Sequence, residues 1–136
     1  MRIKGTRLLA GDASGLLLAL EAPLSFWGGL DPESGAVIDQ RHPQAGAVVT
    51  DRILLMPGGR GSSSSSTVLA EAIRRGSGPA GIILTEADDI IVLGALVAEE
   101  LYRRTTPVVL VKLEELRSFP RTGRVTIASD GTIKVG

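Results

Sequence analysis

Apolar residues recur along the middle of the chain with two alternating periods. Segments of strand character lie at 47–56, 80–84 and 107–111, and the one at 80–84 is continuously apolar. Two longer segments, about 62–75 and 89–103, place their apolar side chains three or four residues apart, which is the period of a helix. The order strand, helix, strand, helix, strand favours parallel pairing with right-handed crossovers.

The two ends of the chain predict antiparallel hairpins instead. Residues 3–9 and 16–20 have strand character and are joined by a loop of turn-forming residues, so we expect an opening hairpin. Residues 125–127 and 132–135 flank Asp130-Gly131, a strong turn dipeptide, so we expect a closing hairpin. The pattern as a whole predicts a mixed α/β domain, with a partly closed, barrel-like sheet and two main helices outside it.

A long irregular segment at 23–46 separates the opening strands from the central alternation. Segments of this kind are often functional or lie on a partner. His42 precedes a proline, and we expect it to fix a turn rather than act in catalysis. Trp27, in a chain with few aromatic residues, either lines a cleft, lies at an interface or is anchored in the core.

Length and charge narrow the class of protein. The 136 residues predict one domain spanning 1–136. Basic and acidic residues balance at 15 each, so the chain has no overall field to attract nucleic acid or an anionic membrane. The apolar stretches are too short to span a bilayer and no cationic leader opens the sequence, so we expect a soluble cytoplasmic protein.

The chain has no cysteine and a single histidine. A zinc, haem or iron–sulfur site therefore cannot be assembled from its usual soft ligands. If metal chemistry is involved, another chain must hold the metal.

The strongest candidate for chemistry is the serine turn, residues 57–66, which reads Pro-Gly-Gly-Arg-Gly followed by five serines. Its glycines allow a ligand to approach the backbone, and Ser62 or Ser63 is a suitable N-cap for the helix that follows. The helix N-terminus and the Arg60 guanidinium both favour an anion. Such a stretch is often a flexible linker, but here a strand and a helix flank it directly. It matches neither a P-loop nor a serine-hydrolase elbow.

A second polar group precedes the second helix. Glu86, Asp88 and Asp89 form either a polar edge near a cleft or a solvated loop and N-cap cluster, and the latter is the usual role of such residues.

Four blocks together resemble the small subunit of the aconitase X family. They are 25–32 (Ser-Phe-Trp-Gly-Gly-Leu-Asp-Pro), 38–43 (Ile-Asp, then His-Pro), the serine turn and 94–102 (Gly-Ala-Leu-Val-Ala-Glu-Glu-Leu-Tyr). Within that family the chain resembles the archaeal phosphomevalonate dehydratase small subunits in overall appearance. The resemblance implies a swivelling β/β/α domain that docks on a large subunit, whose own cysteines hold an iron–sulfur cluster of the four-iron, four-sulfur type.

The activity implied by the resemblance is dehydration of (R)-5-phosphomevalonate to trans-anhydromevalonate 5-phosphate, a step of the archaeal mevalonate route to isoprenoids. Two alternatives stay open. One is dehydration of another hydroxy acid, such as cis-3-hydroxy-L-proline, and the other is a non-catalytic anion-binding module.

The resemblance also assigns roles within the serine turn. Aconitase-like swivel domains carry Gly-x-Gly-Ser-Ser-Arg here, and the first serine is the proton acceptor. Aligned by motif, Ser62 is that serine, and Arg60, Gly61, Ser63 and Ser64 are expected to bind substrate. Ser64 stands where the family has arginine, so the substrate carboxylate would be held by Arg60 or by the large subunit. The repeated serines leave the next three positions, 63–65, as alternatives for the acceptor.

Overall fold

The computed structural model describes residues 1–58 and 63–136. Its strands are β1 (Arg2–Lys4), β2 (Thr6–Leu9), β3 (Ala13–Ala19), β4 (Ile53–Met56), β5 (Gly81–Leu84), β6 (Val108–Leu110), β7 (Arg124–Ile127) and β8 (Thr132–Val135). Its helices are α1 (Phe26–Gly29), α2 (Ser64–Arg75) and α3 (Asp89–Tyr102), with a 3-10 helix, η1, at Leu113–Ser118.

Within the described residues the strands form one sheet, in the order β1-β8-β7-β3-β4-β5-β6-β2. Strands β3 to β6 are parallel neighbours, and the outer pairs are antiparallel. Strands β1 and β2 lie at opposite edges of this order, yet Gly5 alone separates them in the chain. The two edges must therefore come together, and the sheet curls into the partly closed, barrel-like form that the sequence predicted.

The predicted opening hairpin is wrong. Strand β2 pairs with β6, whereas β3 pairs with β4 and β7, so β2 and β3 are not neighbours. Burial explains the difference, because β2 has no fully buried residue and suits an edge, while β3 buries Gly15 and Leu17 and suits the centre. The closing hairpin is confirmed as β7 and β8.

The strand predicted at 47–56 is shorter than expected. Strand β4 begins at Ile53, because Asp51 has a positive φ of 57° and interrupts extended structure. The residues before it belong to a small antiparallel bridge between Ala36 and Val48.

The strand residues divide between two cores. Leu54 and Ile82 face the helices, where they pack with Leu69 and Ala95. Alternate residues of the same strands face the inside of the curled sheet; this second core includes Ile53, Leu55, Ile83, Val109, Val125, Ile127 and Ile133. Strands β4 and β5 are buried at every residue, as continuous apolar runs predict for parallel strands covered on both faces. The domain therefore has three layers: two layers of strands, formed by the curled sheet, and one layer of helices.

The termini of the two main helices lie close to the positions that the sequence predicted. Gly76 ends α2 in the left-handed conformation, with φ of 82°. The Asp88 side chain begins α3 by accepting hydrogen bonds from the N–H groups of Ile90 (2.9 Å) and Ile91 (3.2 Å). Among the described helices, none has the length and apolar character needed to cross a membrane.

The turn of the closing hairpin predicts a specific acid response. The N–H of Thr132 donates to Asp130 Oδ1 at 2.8 Å, and Lys4 Nζ lies 3.4 Å from Oδ2. The hydrogen bonds from Thr132 and then the contact with Lys4 lower the pKa of Asp130 from 3.8 to about 2. Because the folded state has the lower pKa, this carboxylate stabilises the fold above pH 3.8, and its contribution is lost as the pH falls towards 2.

We expect Asp130→Asn to have a lower melting temperature than the unmodified chain at pH 7 and the same one near pH 2. Thermal unfolding followed by circular dichroism over that pH range measures the difference. Glu114→Gln, a change at an exposed position in η1, is the control and should show no such convergence. A difference in melting temperature between Asp130→Asn and the unmodified chain that stays constant with pH would contradict the lowered pKa of Asp130.

Candidate active site

The carboxyl ends of the parallel strands meet at one edge of the sheet, and the serine turn begins there. Ligands of open α/β sheets bind at this kind of edge. Pro57 and Gly58 follow β4, and α2 begins at Ser64. The predicted acceptor Ser62 and the predicted binding residues Arg60 and Gly61 lie outside the described residues. The described residues thus fix both ends of the turn.

Ser63 and Ser64, the other two predicted binding residues, are exposed at the start of α2. Ser63 is the N-cap, but its hydroxyl makes no capping hydrogen bond, so the side-chain cap expected of it is not formed. An N-cap side chain reaches the first turn of its helix when its own backbone is extended. The Ser63 backbone is helical instead (φ −57°, ψ −22°). The Ser63 carbonyl instead accepts from Ser66 N–H (3.1 Å) and Ser66 Oγ (2.7 Å).

Ser65 differs from its two neighbours because it is buried. Its hydroxyl oxygen accepts a hydrogen bond from the N–H of Trp27 at 3.1 Å and lies 3.5 Å from Ser25 Oγ. The Ser25 hydroxyl in turn donates to the carbonyl of Trp27 at 2.9 Å. Ser65 therefore ties segment 25–27 to the first turn of α2, a contact that sequence reasoning missed although both partners lie in the family blocks.

We expect Ser65→Ala to lower the free energy of unfolding by about 1–2 kcal/mol, because the Trp27 N–H would lose its partner. Urea unfolding of the chain measures this. Ser64→Ala is the matched control, since it removes an exposed hydroxyl from the adjacent position of the same helix, and it should change stability little. Equal losses for the two variants would show that the Ser65 contact does not stabilise the fold.

Trp27 is 60% exposed, so the core position that the sequence left open is wrong. Its neighbour Phe26 is 1% exposed and anchors the segment. Trp27 itself (φ −70°, ψ 115°) and Gly28 (φ 75°, ψ −11°) depart from helical geometry, so α1 is a kinked turn rather than a regular helix.

His42 fixes the turn that contains it, in line with the prediction from the sequence. Its ring Nδ1 accepts from the N–H of Gln44 at 3.0 Å, which leaves the proton on Nε2 to be donated to the carbonyl of Ala22, also at 3.0 Å. Both ring nitrogens are thus used by backbone groups, and the side chain is 7% exposed.

A cavity of about 470 Å³ opens at the carboxyl edge beside the serine turn, and we call it the charged cleft. Its lining residues are Leu20, Glu21, Leu55, Met56, Pro57, Thr85, Glu86, Leu113, Leu116 and Arg121. Thr85 Oγ1 donates to the Pro57 carbonyl at 3.0 Å, which joins the loop after β5 to the serine turn.

Glu86 follows Thr85 in the loop after β5 and also lines the cleft. A Cβ added to Gly58 would lie 3.6 Å from Glu86 Cβ and 3.8 Å from its Oε2, so the carboxylate lies next to Gly58 of the serine turn. Of the acidic group predicted at 86–89, Glu86 thus belongs to the cleft, whereas Asp88 is an N-cap. The described lining carries two carboxylates, Glu21 and Glu86, and one guanidinium, Arg121.

The residues of this chain do not fit an iron–sulfur cluster. The sequence has no cysteine, and the described part contains no group of three metal-ligating side chains. This chain supplies no ligand set for such a group.

Comparison with known proteins gives one consistent match. The sequence model of the aconitase X swivel domain matches residues 2–135. The chain is 50% identical to a cis-3-hydroxy-L-proline dehydratase of Pseudomonas aeruginosa over 115 residues, which is 83% of this chain and 20% of that protein. It therefore spans about a fifth of the length of that relative.

Two further relatives are close to this chain in length. One is a phosphomevalonate dehydratase small subunit of Pyrococcus furiosus, 39% identical over 98 residues, which is 72% of this chain and 73% of that protein. The other is a chain in the crystal structure of aconitase X (holo-form) from Thermococcus kodakaraensis. It aligns over 100% of this chain and 98% of its own length, with a TM-score of 0.88 and 28% identity.

Proposed function

Since the chain belongs to the aconitase X swivel domain family, we propose that residues 1–136 act as one swivel-type domain of a hydro-lyase that removes water from a hydroxy acid. The observation that carries this proposal is the position of the serine turn. It lies between the end of a buried parallel strand and the start of a helix, beside a charged cleft, in a chain without cysteine. Relatives named as dehydratases support the reaction class.

In this proposal Ser62 accepts the proton from the carbon next to the substrate carboxylate. The carbon–hydrogen electron pair becomes the new double bond, and the hydroxyl on the neighbouring carbon departs as water with a proton from elsewhere in the enzyme. A serine oxygen can act as the base only if its anionic form is stabilised. The N-terminus of α2 and Arg60 supply positive potential for this, and Arg60, Gly61, Ser63 and Ser64 hold the carboxylate.

In this proposal a partner assists the departure of the hydroxyl group. The Pyrococcus furiosus relative is named a small subunit, and in the Pseudomonas aeruginosa relative about four-fifths of the protein lies outside the matched region. We propose that a cysteine-bearing large subunit, or an equivalent segment, docks on this domain and holds the iron–sulfur cluster. The cytoplasm is the proposed location of this assembly.

Phosphomevalonate is the first candidate substrate, supported by relatives that are separate small subunits. A second candidate, cis-3-hydroxy-L-proline, is favoured by the 50% identity to a dehydratase of that name and by the charge of the cleft. An amino acid presents one carboxylate, which the serine turn would hold, and one ammonium, which complements Glu86 in the cleft. Phosphomevalonate presents two anionic groups to a described lining that has one cation and two anions.

The test is to produce the chain together with the cysteine-bearing chain that completes the enzyme, purify the complex without oxygen and assay both substrates. We expect dehydration of one substrate by the complex and none by this chain alone. Turnover by this chain alone, or a complex that dehydrates neither substrate, would contradict the proposal. Tight binding of inorganic phosphate by the isolated chain, with no turnover of the complex, would favour the anion-binding module.

A further inference from the structure

Trp27 is presented to solvent by a support built from three other residues. Phe26 is buried beneath the segment, Ser65 accepts the Trp27 N–H, and Ser25 donates to the Trp27 carbonyl. Gly28 then turns the chain with a φ of 75°, and a Cβ at that position would meet nothing within 4 Å. The one tryptophan of the sequence is thus exposed on a backbone fixed on both sides.

This exposed ring stands beside the candidate site. Ser65, which bonds the Trp27 backbone, lies three residues after Ser62, in the first turn of α2. The sequence provides no cysteine ligand for a metal, so groups that complete the site must approach the serine turn from outside this chain. Because the Trp27 backbone is hydrogen-bonded to the described end of this turn, a partner surface that covers this end also lies close to Trp27.

A second apolar side chain extends the same surface. Ile38 is 46% exposed, and its N–H donates to the carbonyl of Gly29 at 2.8 Å, which places it next to α1. A large exposed aromatic residue with a smaller apolar neighbour is typical of the centre of a protein interface, where tryptophan contributes more binding energy than most residues.

We propose that Trp27 is the anchor on which the cysteine-bearing remainder of the enzyme docks over the serine turn. This inference rests on the proposed function, because it needs that partner. The length of a relative indicates what docks there. The matched region is 20% of the Pseudomonas aeruginosa dehydratase, so most of that enzyme lies outside this region and must contact it on some surface. The surface beside the serine turn is the one that brings partner groups to the predicted base.

The experiment measures the dissociation constant between this chain and the cysteine-bearing chain, produced separately, by titration calorimetry. We expect Trp27→Ala to raise the dissociation constant about thirtyfold or more, and Trp27→Phe to recover part of the loss. The urea midpoint of each variant should match that of the unmodified chain, because the side chain is exposed.

The matched control is Leu101→Ala, which truncates another large apolar side chain, 67% exposed. Leu101 lies near the end of α3, and α3 runs back from the carboxyl end of β5 towards the start of β6, so Leu101 is at the edge opposite the serine turn. This variant should bind the partner as the unmodified chain does.

The outcomes separate the two proposals. A complex whose affinity is insensitive to Trp27→Ala would overturn this inference and leave the proposed function standing. If Trp27→Ala leaves the affinity for the partner unchanged but raises KM, Trp27 contacts the substrate instead, and the inference is also overturned. Absence of any complex with the unmodified chain would overturn both. A loss of affinity confined to Trp27→Ala, with kcat of the saturated complex retained, supports the anchor.

Discussion

Ser62→Ala is expected to lower kcat of the complete enzyme by about 10²- to 10⁴-fold while leaving the complex intact. A positioned general base contributes a rate factor of this size, and alanine removes the only oxygen that could accept the proton at this position. The affinity for the large subunit should stay close to that of the unmodified chain, because a hydroxyl contributes little area to an interface. Steady-state kinetics and calorimetry on the same preparation measure the two quantities together.

The neighbouring serines are the controls for this prediction. Ser63 and Ser64 are exposed in the adjacent positions, and Ser63→Ala and Ser64→Ala should raise KM more than they lower kcat, since their proposed role is to bind the carboxylate. Near-normal turnover of Ser62→Ala would exclude it as the base. A collapse of kcat in Ser63→Ala instead would move the acceptor by one position along the run of serines.

The parts of the fold that were predictable from the sequence are those set by local patterns. The buried strands β4, β5 and β6 are short apolar runs, α2 and α3 have a helical period, and Asp130-Gly131 has the chemistry of a tight turn. Each of these signals lies within a few residues of the structure that it determines. The curled, mixed sheet followed from combining them.

The opening of the chain was mispredicted because its pairing is long-range. Nothing near Thr6–Leu9 indicates that this strand pairs with Val108–Leu110, about a hundred residues away. Gly5 makes the arrangement possible: its N–H donates to the carbonyl of Gly131 at 3.0 Å, and a side chain there would collide with Val109. A single glycine between two strands does not show that they lie at opposite edges of one sheet.

For the candidate site, the sequence located the serine turn but not the roles of its described serines. The turn follows a strand and begins a helix, as predicted, because both flanking elements have strong local patterns. The burial of Ser65 was not predictable, since its partner Trp27 lies 38 residues earlier in an irregular segment. The exposure of Trp27 has the same origin, because it depends on how that segment packs against α2.

The second large effect is expected at the contact between the helices. Gly94 of α3 faces the first turns of α2, where a Cβ would lie 2.8 Å from the Ser66 carbonyl oxygen and 3.2 Å from Leu69 Cβ. Valine places a branched side chain in this space, and the nearest atom is backbone, which cannot rotate away. We expect Gly94→Val to lower the free energy of unfolding by about 3 kcal/mol, despite the better intrinsic helix propensity of valine.

Leu96→Val is the matched control, because it introduces the same residue into the same helix at a position that is 39% exposed. It should cost only the few tenths of a kcal/mol expected from helix propensity. Urea unfolding compares the two, and equal stabilities would show that α2 and α3 have room to separate. If the helices cannot separate freely, the strain acts on the Ser66 carbonyl in the first turn of α2. The complete enzyme carrying Gly94→Val should then lose turnover even at temperatures where it is fully folded, because the serines proposed to bind substrate at the start of this helix would be displaced.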